Sequence, residues 1–167
     1  MKKLYLTYCS AKKRVGIHPP NMLYISDRVT GFIERCKMLG VNWAILSALY
    51  AFFFPDEEKE DYNVTFQTDK SYWLGIAVVR DQHKMPHLQS KQHVLQLVKK
   101  VKQQANERHI DQIVFYAPSP KMVKCYLGVL HYAFDECSKS HGWQDLDEHV
   151  KDQSRTIKVV RRLANIR

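Results

Sequence analysis

Six residues near the start of the chain have the types and spacing to do chemistry: Cys9-Ser10-Ala11-Lys12-Lys13-Arg14. They follow a short apolar stretch, Leu4 to Tyr8, that reads as a β-strand. In open α/β proteins ligands bind just outside the carboxyl ends of strands. Neighbouring cations favour the thiolate, the nucleophilic form of cysteine. The same cations also suit a bound phosphate. Two functional readings therefore stand together: Cys9 as a nucleophile, and Ser10, Lys12 and Lys13 as groups that hold a substrate anion. A third reading packs Cys9 as a small buried thiol, the commonest fate of free cysteine.

The elements that must position this segment follow from the pattern of apolar residues. Leu4 to Tyr8 is apolar almost throughout, as in a strand covered on both faces. Gly16, Pro19 and Pro20 keep the next segment out of a continuous helix. Ser26 caps a helix to about Leu39, with Val29, Phe32, Ile33, Cys36 and Leu39 at helical spacing, and Gly40 ends it. Val41 to Ser47 reads as a second strand. Val64 to Val79 is ambiguous, with Tyr72 to Val79 either a strand or the start of a helix. A helix runs from near Ser90 to about Arg108, with Val94, Leu97, Val98 and Val101 on one face. Ile113 to Tyr116 is a third strong strand, and Pro120 suits the first turn of the helix after it. The tail from about Trp143 to Arg167 reads as basic helix. Strands alternating with helices predict an α/β fold, a single three-layer domain with a mostly parallel sheet of about four strands flanked by helices.

In such a sheet parallel neighbours deliver their carboxyl ends to one rim. Cys9 and Ser10 follow the first strand, Ser47 the second and Ser119 the third, so a thiol and several nucleophilic hydroxyls are expected to converge there, with Ser47 beside Cys9 as a catalytic candidate. Serine also caps helices and fills turns, and Ser-Pro is a common helix start, which weighs against Ser119 taken alone. Asp56 and Glu57 follow Pro55. Asp56 is the candidate general base, and Glu57 a substrate contact. His83 and His87 have the four-residue spacing of metal ligands, but Pro86 between them breaks the helix that would align them. Neither the remaining histidines nor the cysteines make a metal-binding pattern, and there is no Gly-rich phosphate loop. No metal or cofactor is expected. The C-terminal run from Arg155 to Leu163 is basic and amphipathic. Ile157, Val160 and Leu163 would face inward, leaving Arg155, Lys158, Arg161 and Arg162 to track a phosphate backbone or simply to face solvent.

The 167-residue length suits one domain with a real core. The 45% apolar content fits a globular chain. No apolar run is long enough to span a bilayer, and no stretch reads as a signal peptide, so a cytoplasmic protein is expected. The four cysteines, Cys9, Cys36, Cys125 and Cys137, are then free thiols. A formal charge of +9 speaks to partners rather than fold, and favours polyanions such as RNA, DNA or nucleotides.

Several of these segments also resemble a known family. Thr7-Tyr8-Cys9-Ser10-Ala11-Lys12-Lys13, Leu23-Tyr24-Ile25-Ser26, Trp43-Ala44-Ile45-Leu46-Ser47-Ala48, and Pro55-Asp56-Glu57 with Tyr62 resemble a family of small uncharacterised α/β domains described as related to the peroxide-stress proteins. The segment from Cys9 to Ser26 is also similar to the core domain of archaeosine synthase, which acts on a 7-deazaguanine base in tRNA. The resemblance covers roughly the first 62 residues, with a weaker match from Ile113 to Ser119. This chain has Leu49 where the family has a lysine and Ala51 where it has a glycine. The resemblance implies that Cys9, Ser10, Lys12, Tyr24, Ser26, Ser47, Tyr50, Asp56 and Glu57 line the site. Together with the charge it implies an enzyme directed at nucleic acid or nucleotide, acting on a nucleobase of tRNA or DNA. The alternative is a non-catalytic nucleic-acid-binding module, which the leucine at position 49 favours.

Overall fold

A computed structural model of the chain describes residues 2–69, 72–79, 90–134 and 156–167. In chain order the elements are β1 (Lys2–Tyr8), β2 (Ile17–His18), α1 (Pro20–Leu23), α2 (Asp27–Leu39), β3 (Trp43–Ser47), β4 (Ala51–Phe53), β5 (Lys59–Glu60), β6 (Val64–Asp69), β7 (Tyr72–Val79), α3 (Ser90–Glu107), β8 (Ile110–Tyr116), α4 (Lys124–Phe134) and β9 (Ile157–Val160). Short 3-10 turns lie at Pro120–Val123 and Leu163–Asn165.

The central sheet has five strands in the order β4-β3-β1-β8-β9. β3, β1, β8 and β9 are parallel, and β4 is antiparallel to β3. Tyr5 of β1 sits level with Trp43 on one side and Val114 on the other, and Val114 sits level with Lys158. Leu4, Tyr5, Leu6 and Thr7 are all buried, so β1 is covered on both faces as its unbroken apolar run predicts. The expected α/β class with a mostly parallel sheet is present, with five strands rather than four.

Helix α2 follows the sequence signals. The Ser26 hydroxyl accepts from the Val29 N–H, and Gly40 ends the helix in the left-handed conformation at φ 62°. Val29, Phe32, Ile33 and Cys36 are buried, and Phe32 stacks on Tyr116 of β8. On the β4 edge, Gln104 of α3 closes the strand: its amide accepts from the Phe52 N–H at 2.9 Å and donates to the Phe52 carbonyl at 2.8 Å. An edge strand otherwise leaves such groups unpaired.

One ambiguity is resolved, in favour of the strand alternative for Tyr72 to Val79, and one reading changes. The ambiguous stretch is an antiparallel hairpin, β6–β7, packed against α3 and α4. The tail expected to be helical contributes β9 instead, parallel to β8, followed by a 3-10 turn. Ile157 and Val160 are buried in either reading, because a three-residue spacing does not separate helix from strand over so short a run. The β-branched Ile-x-Val-Val run suits a strand, where branched side chains pack on a pleated surface, and the open edge beside β8 takes it up. Positions 143–155 of the expected tail, Arg155 among them, lie outside the described residues, as do His83, His87 and Cys137.

Candidate functional site

Because β3, β1 and β8 are parallel neighbours, their carboxyl ends share one rim. The Cys9 N–H donates to the Leu46 carbonyl at 3.0 Å, which ties the segment after β1 to the end of β3. Cys9 is buried at 6% exposure, and its sulfur lies 3.3 Å from the hydroxyl of Tyr126 in α4. A small cavity of about 30 Å³ touches Cys9, Ser10, Lys13, Asn63 and Tyr126. That volume holds about one water molecule.

Beside it lies a chain of buried hydroxyls. The Ser47 hydroxyl accepts from the Leu49 and Tyr50 N–H groups at 3.1 and 2.9 Å and donates to Tyr62 Oη at 2.7 Å. Tyr62 and Tyr24 are 2.8 Å apart, so the Tyr62 proton is left to serve Tyr24. The Lys13 ammonium sits over the Tyr62 ring, 4.1 Å from its centroid. Burial pushes the Tyr24, Tyr62 and Tyr126 phenols well above their ordinary pKa, and each lies within the electrostatic reach of Cys9. All three stay protonated through neutral pH and act as hydrogen-bond groups.

The structure thus brings together Cys9, Ser10, Lys13, Tyr24 and Ser47 from the expected set, and adds Tyr62 and Tyr126. The roles differ from those expected. Ser47 is fully buried with its hydroxyl committed to the turn that leads into β4, so it is a turn-holding group rather than a nucleophile. Ser10 donates to the Lys12 carbonyl, which itself accepts from the Ile25 N–H, and the Lys12 side chain is exposed. Ser26 is the cap of α2. Tyr50 donates to the Glu60 carbonyl and meets the Tyr62 ring edge-on. Ser119 is exposed and makes no side-chain cap. Ala51, where the resembled family has glycine, has φ 62°, a conformation natural to glycine.

Asp56 and Glu57 are not part of this rim. Asp56 pairs with Arg108 at 3.2 Å and shares a hollow with Lys2, Asn42 and Ile110, which mark the amino ends of β1, β3 and β8. The length of β1, roughly 20 Å at the rise of an extended chain, separates it from Cys9. Glu57 is spent on the local turn, accepting from the Phe54 N–H at 3.0 Å. Asp56 therefore cannot serve Cys9 as a general base. The reason is topological: β4 runs back antiparallel to β3 and carries the Pro55-Asp56-Glu57 loop to the opposite end.

Arg28 belongs to the rim and was not among the expected residues. Its guanidinium donates to Thr7 Oγ1 at 2.5 Å and to the Cys9 carbonyl at 3.2 Å, and lies 3.5 Å from the centre of the Tyr8 ring. Burial lowers its pKa, and no carboxylate among the described residues pairs with it. A signal was available: a helix entered from the rim puts its first turn there, and an arginine in that turn opposes the helix dipole.

A second feature lies along the β9 side of the sheet. Among the described residues, a groove of about 840 Å³ is lined by five cations, Lys3, Lys158, Arg161, Arg162 and Arg167, and by no Asp or Glu. All five are exposed, and none is paired with a carboxylate among the described residues. Lys158, Arg161 and Arg162, expected on a helix face, are here on and just beyond a strand. Among the described residues no group of three or more His, Cys, Asp or Glu could hold a metal ion, and no helix is long and apolar enough to cross a membrane. No family model, curated protein or solved structure matches the chain.

Proposed function

We propose that this protein is directed at nucleic acid, holding a phosphate backbone in the groove beside β9. The observation that carries the reading is the groove's lining of five exposed cations with no Asp or Glu side chain among the described residues. The chain's charge of +9 agrees with it. Phosphate contacts supply most of the sequence-independent affinity for nucleic acid, and do so through Lys and Arg. The test is binding of a labelled oligonucleotide at low salt. Affinity should fall as salt rises and should drop when Arg161 and Arg162 become alanine. An affinity indifferent to both changes would sink the reading.

A catalytic extension rests on a separate observation. Arg161 and Arg162 follow β9 directly, and Cys9 follows β1, two strands away on the same rim, about 10 Å at ordinary strand spacing. A backbone held at the β9 end would bring a base near Cys9. On this reading the chain is one three-layer cytoplasmic domain that modifies a tRNA or DNA base, with Cys9 as nucleophile and Lys13 and Arg28 as anion-holding groups. In a duplex the base would have to be flipped out.

The non-catalytic reading is favoured by the small space beside Cys9 and by the distance to Asp56. A base cannot enter a water-sized cavity unless the Lys13 segment moves. The geometry therefore supports binding first and catalysis second. Cys9→Ala separates them: an enzyme loses turnover and keeps affinity, whereas a binding module is unchanged.

A further inference from the structure

The walls of the basic groove select the form of nucleic acid, on the reading that nucleic acid is its ligand. Its floor runs from Lys3 and Tyr5 of β1 across Gln112 and Val114 of β8 to Lys158 of β9. That is two strand spacings, about 10 Å wide. One side is closed by the C-terminal strap, residues 161–167, and the strap is fixed in place. Arg35 of α2 donates to the Ile166 carbonyl through both Nε and Nη2, at 3.3 and 3.1 Å. Ile166 is fully buried, and the Tyr5 hydroxyl donates to the Arg167 carbonyl. Gly31 lets the strap approach the helix: a Cβ there would stand 3.3 Å from Leu163 Cδ1.

A double helix, whose major groove alone is about 12 Å wide, is wider than this floor. It can touch the rim cations but cannot lie among all five. A single strand fits between the strap and the β9 edge, and a charged groove that tracks one backbone is how proteins hold single strands. Among the described residues the lining offers no open aromatic face, since Tyr5 is buried and its hydroxyl engaged. Contacts would be to phosphates, with little preference among bases.

We infer that the groove is a single-strand site, walled by the Arg35-anchored strap and selective for unpaired over paired nucleic acid. The experiment compares a fluorescein-labelled mixed-sequence 12-nucleotide strand with the same sequence as a blunt duplex, by anisotropy at 50 mM salt. The single strand is expected to bind at least about tenfold more tightly, as suits a single-strand groove. Its log affinity should fall with log salt at a slope of about −3.5 if all five cations engage. Arg161→Ala with Arg162→Ala, both exposed and so compatible with folding, should reduce that slope by about 1.4. Arg35→Met should narrow the gap between single strand and duplex while keeping all five groove cations. Equal or tighter duplex binding overturns the single-strand inference but leaves the nucleic-acid reading standing. Single-strand binding that ignores the arginine pair moves the site elsewhere and overturns both. No binding of either probe also overturns both.

Discussion

The sulfur of Cys9 and the hydroxyl of Tyr126 lie 3.3 Å apart although 117 residues separate them in the chain. The segment just after β1 supplies one, and α4, which follows β8, supplies the other. The contact gives the thiol a polar neighbour inside an otherwise buried setting, next to a cavity that Lys13 and Ser10 also touch.

That placement ranks the thiols. Cys36 is fully buried and burial pushes it up to about 12, so almost none of it is thiolate at neutral pH. Cys125 is buried within α4. In a Cys137→Ser background, iodoacetamide at pH 7.5 should label Cys9 before Cys36 or Cys125, as read by peptide mapping. Earlier labelling of Cys36 or Cys125 would remove Cys9 as the reactive thiol. Tyr126→Ala, which enlarges the cavity, should speed the labelling of Cys9.

Gln104 is predicted to matter for stability well beyond its partial exposure. Its amide serves both the N–H and the carbonyl of buried Phe52. Gln104→Leu leaves those two backbone groups without partners and should cost about 2–3 kcal/mol. A urea titration checks this, and a midpoint unchanged from the parent protein would show that water replaces the amide at no cost.

His93 should give the fold a pH dependence. It is buried, its Nε2–H donates to the Ala48 carbonyl at 2.7 Å, and burial lowers its pKa below the ordinary value, with Lys100 adding to the fall. The unfolded chain then takes up a proton at a higher pH than the folded one does. The His93 contribution is therefore present above about pH 6.5 and is lost as pH falls below it. Urea midpoints should fall between pH 7 and pH 5.5, with a slope of at most about 1.4 kcal/mol per pH unit from this one group. His93→Gln should flatten that part of the profile; an undiminished slope would assign it to other groups.

His109 is exposed just past the end of α3 with φ 54°, where glycine is the natural residue. His109→Gly should stabilise the protein by about 0.5–1 kcal/mol, since the left-handed strain outweighs the extra freedom of the unfolded chain. The Tm should rise by about 2 °C. A lower Tm would mean that the imidazole makes a contribution larger than the strain it imposes.

What the amino-acid order determined was local. The unbroken apolar run of β1, the Ser26 cap and Gly40 stop of α2, and the buried face of α3 are set by residues within a few positions of one another. The sequence also placed Cys9, Ser10 and Lys13 at a strand end, because the chain turns there whatever lies beside it. Tertiary structure alone decided who shares that end. Tyr126 reaches Cys9 because β8 is the parallel neighbour of β1, and Asp56 is sent to the far end because β4 runs antiparallel to β3. Ile157 to Val160 became a strand because the sheet had an open edge beside β8, and a three-residue spacing is blind to that. Neighbour order and strand direction are long-range choices made by packing, so no local pattern records them.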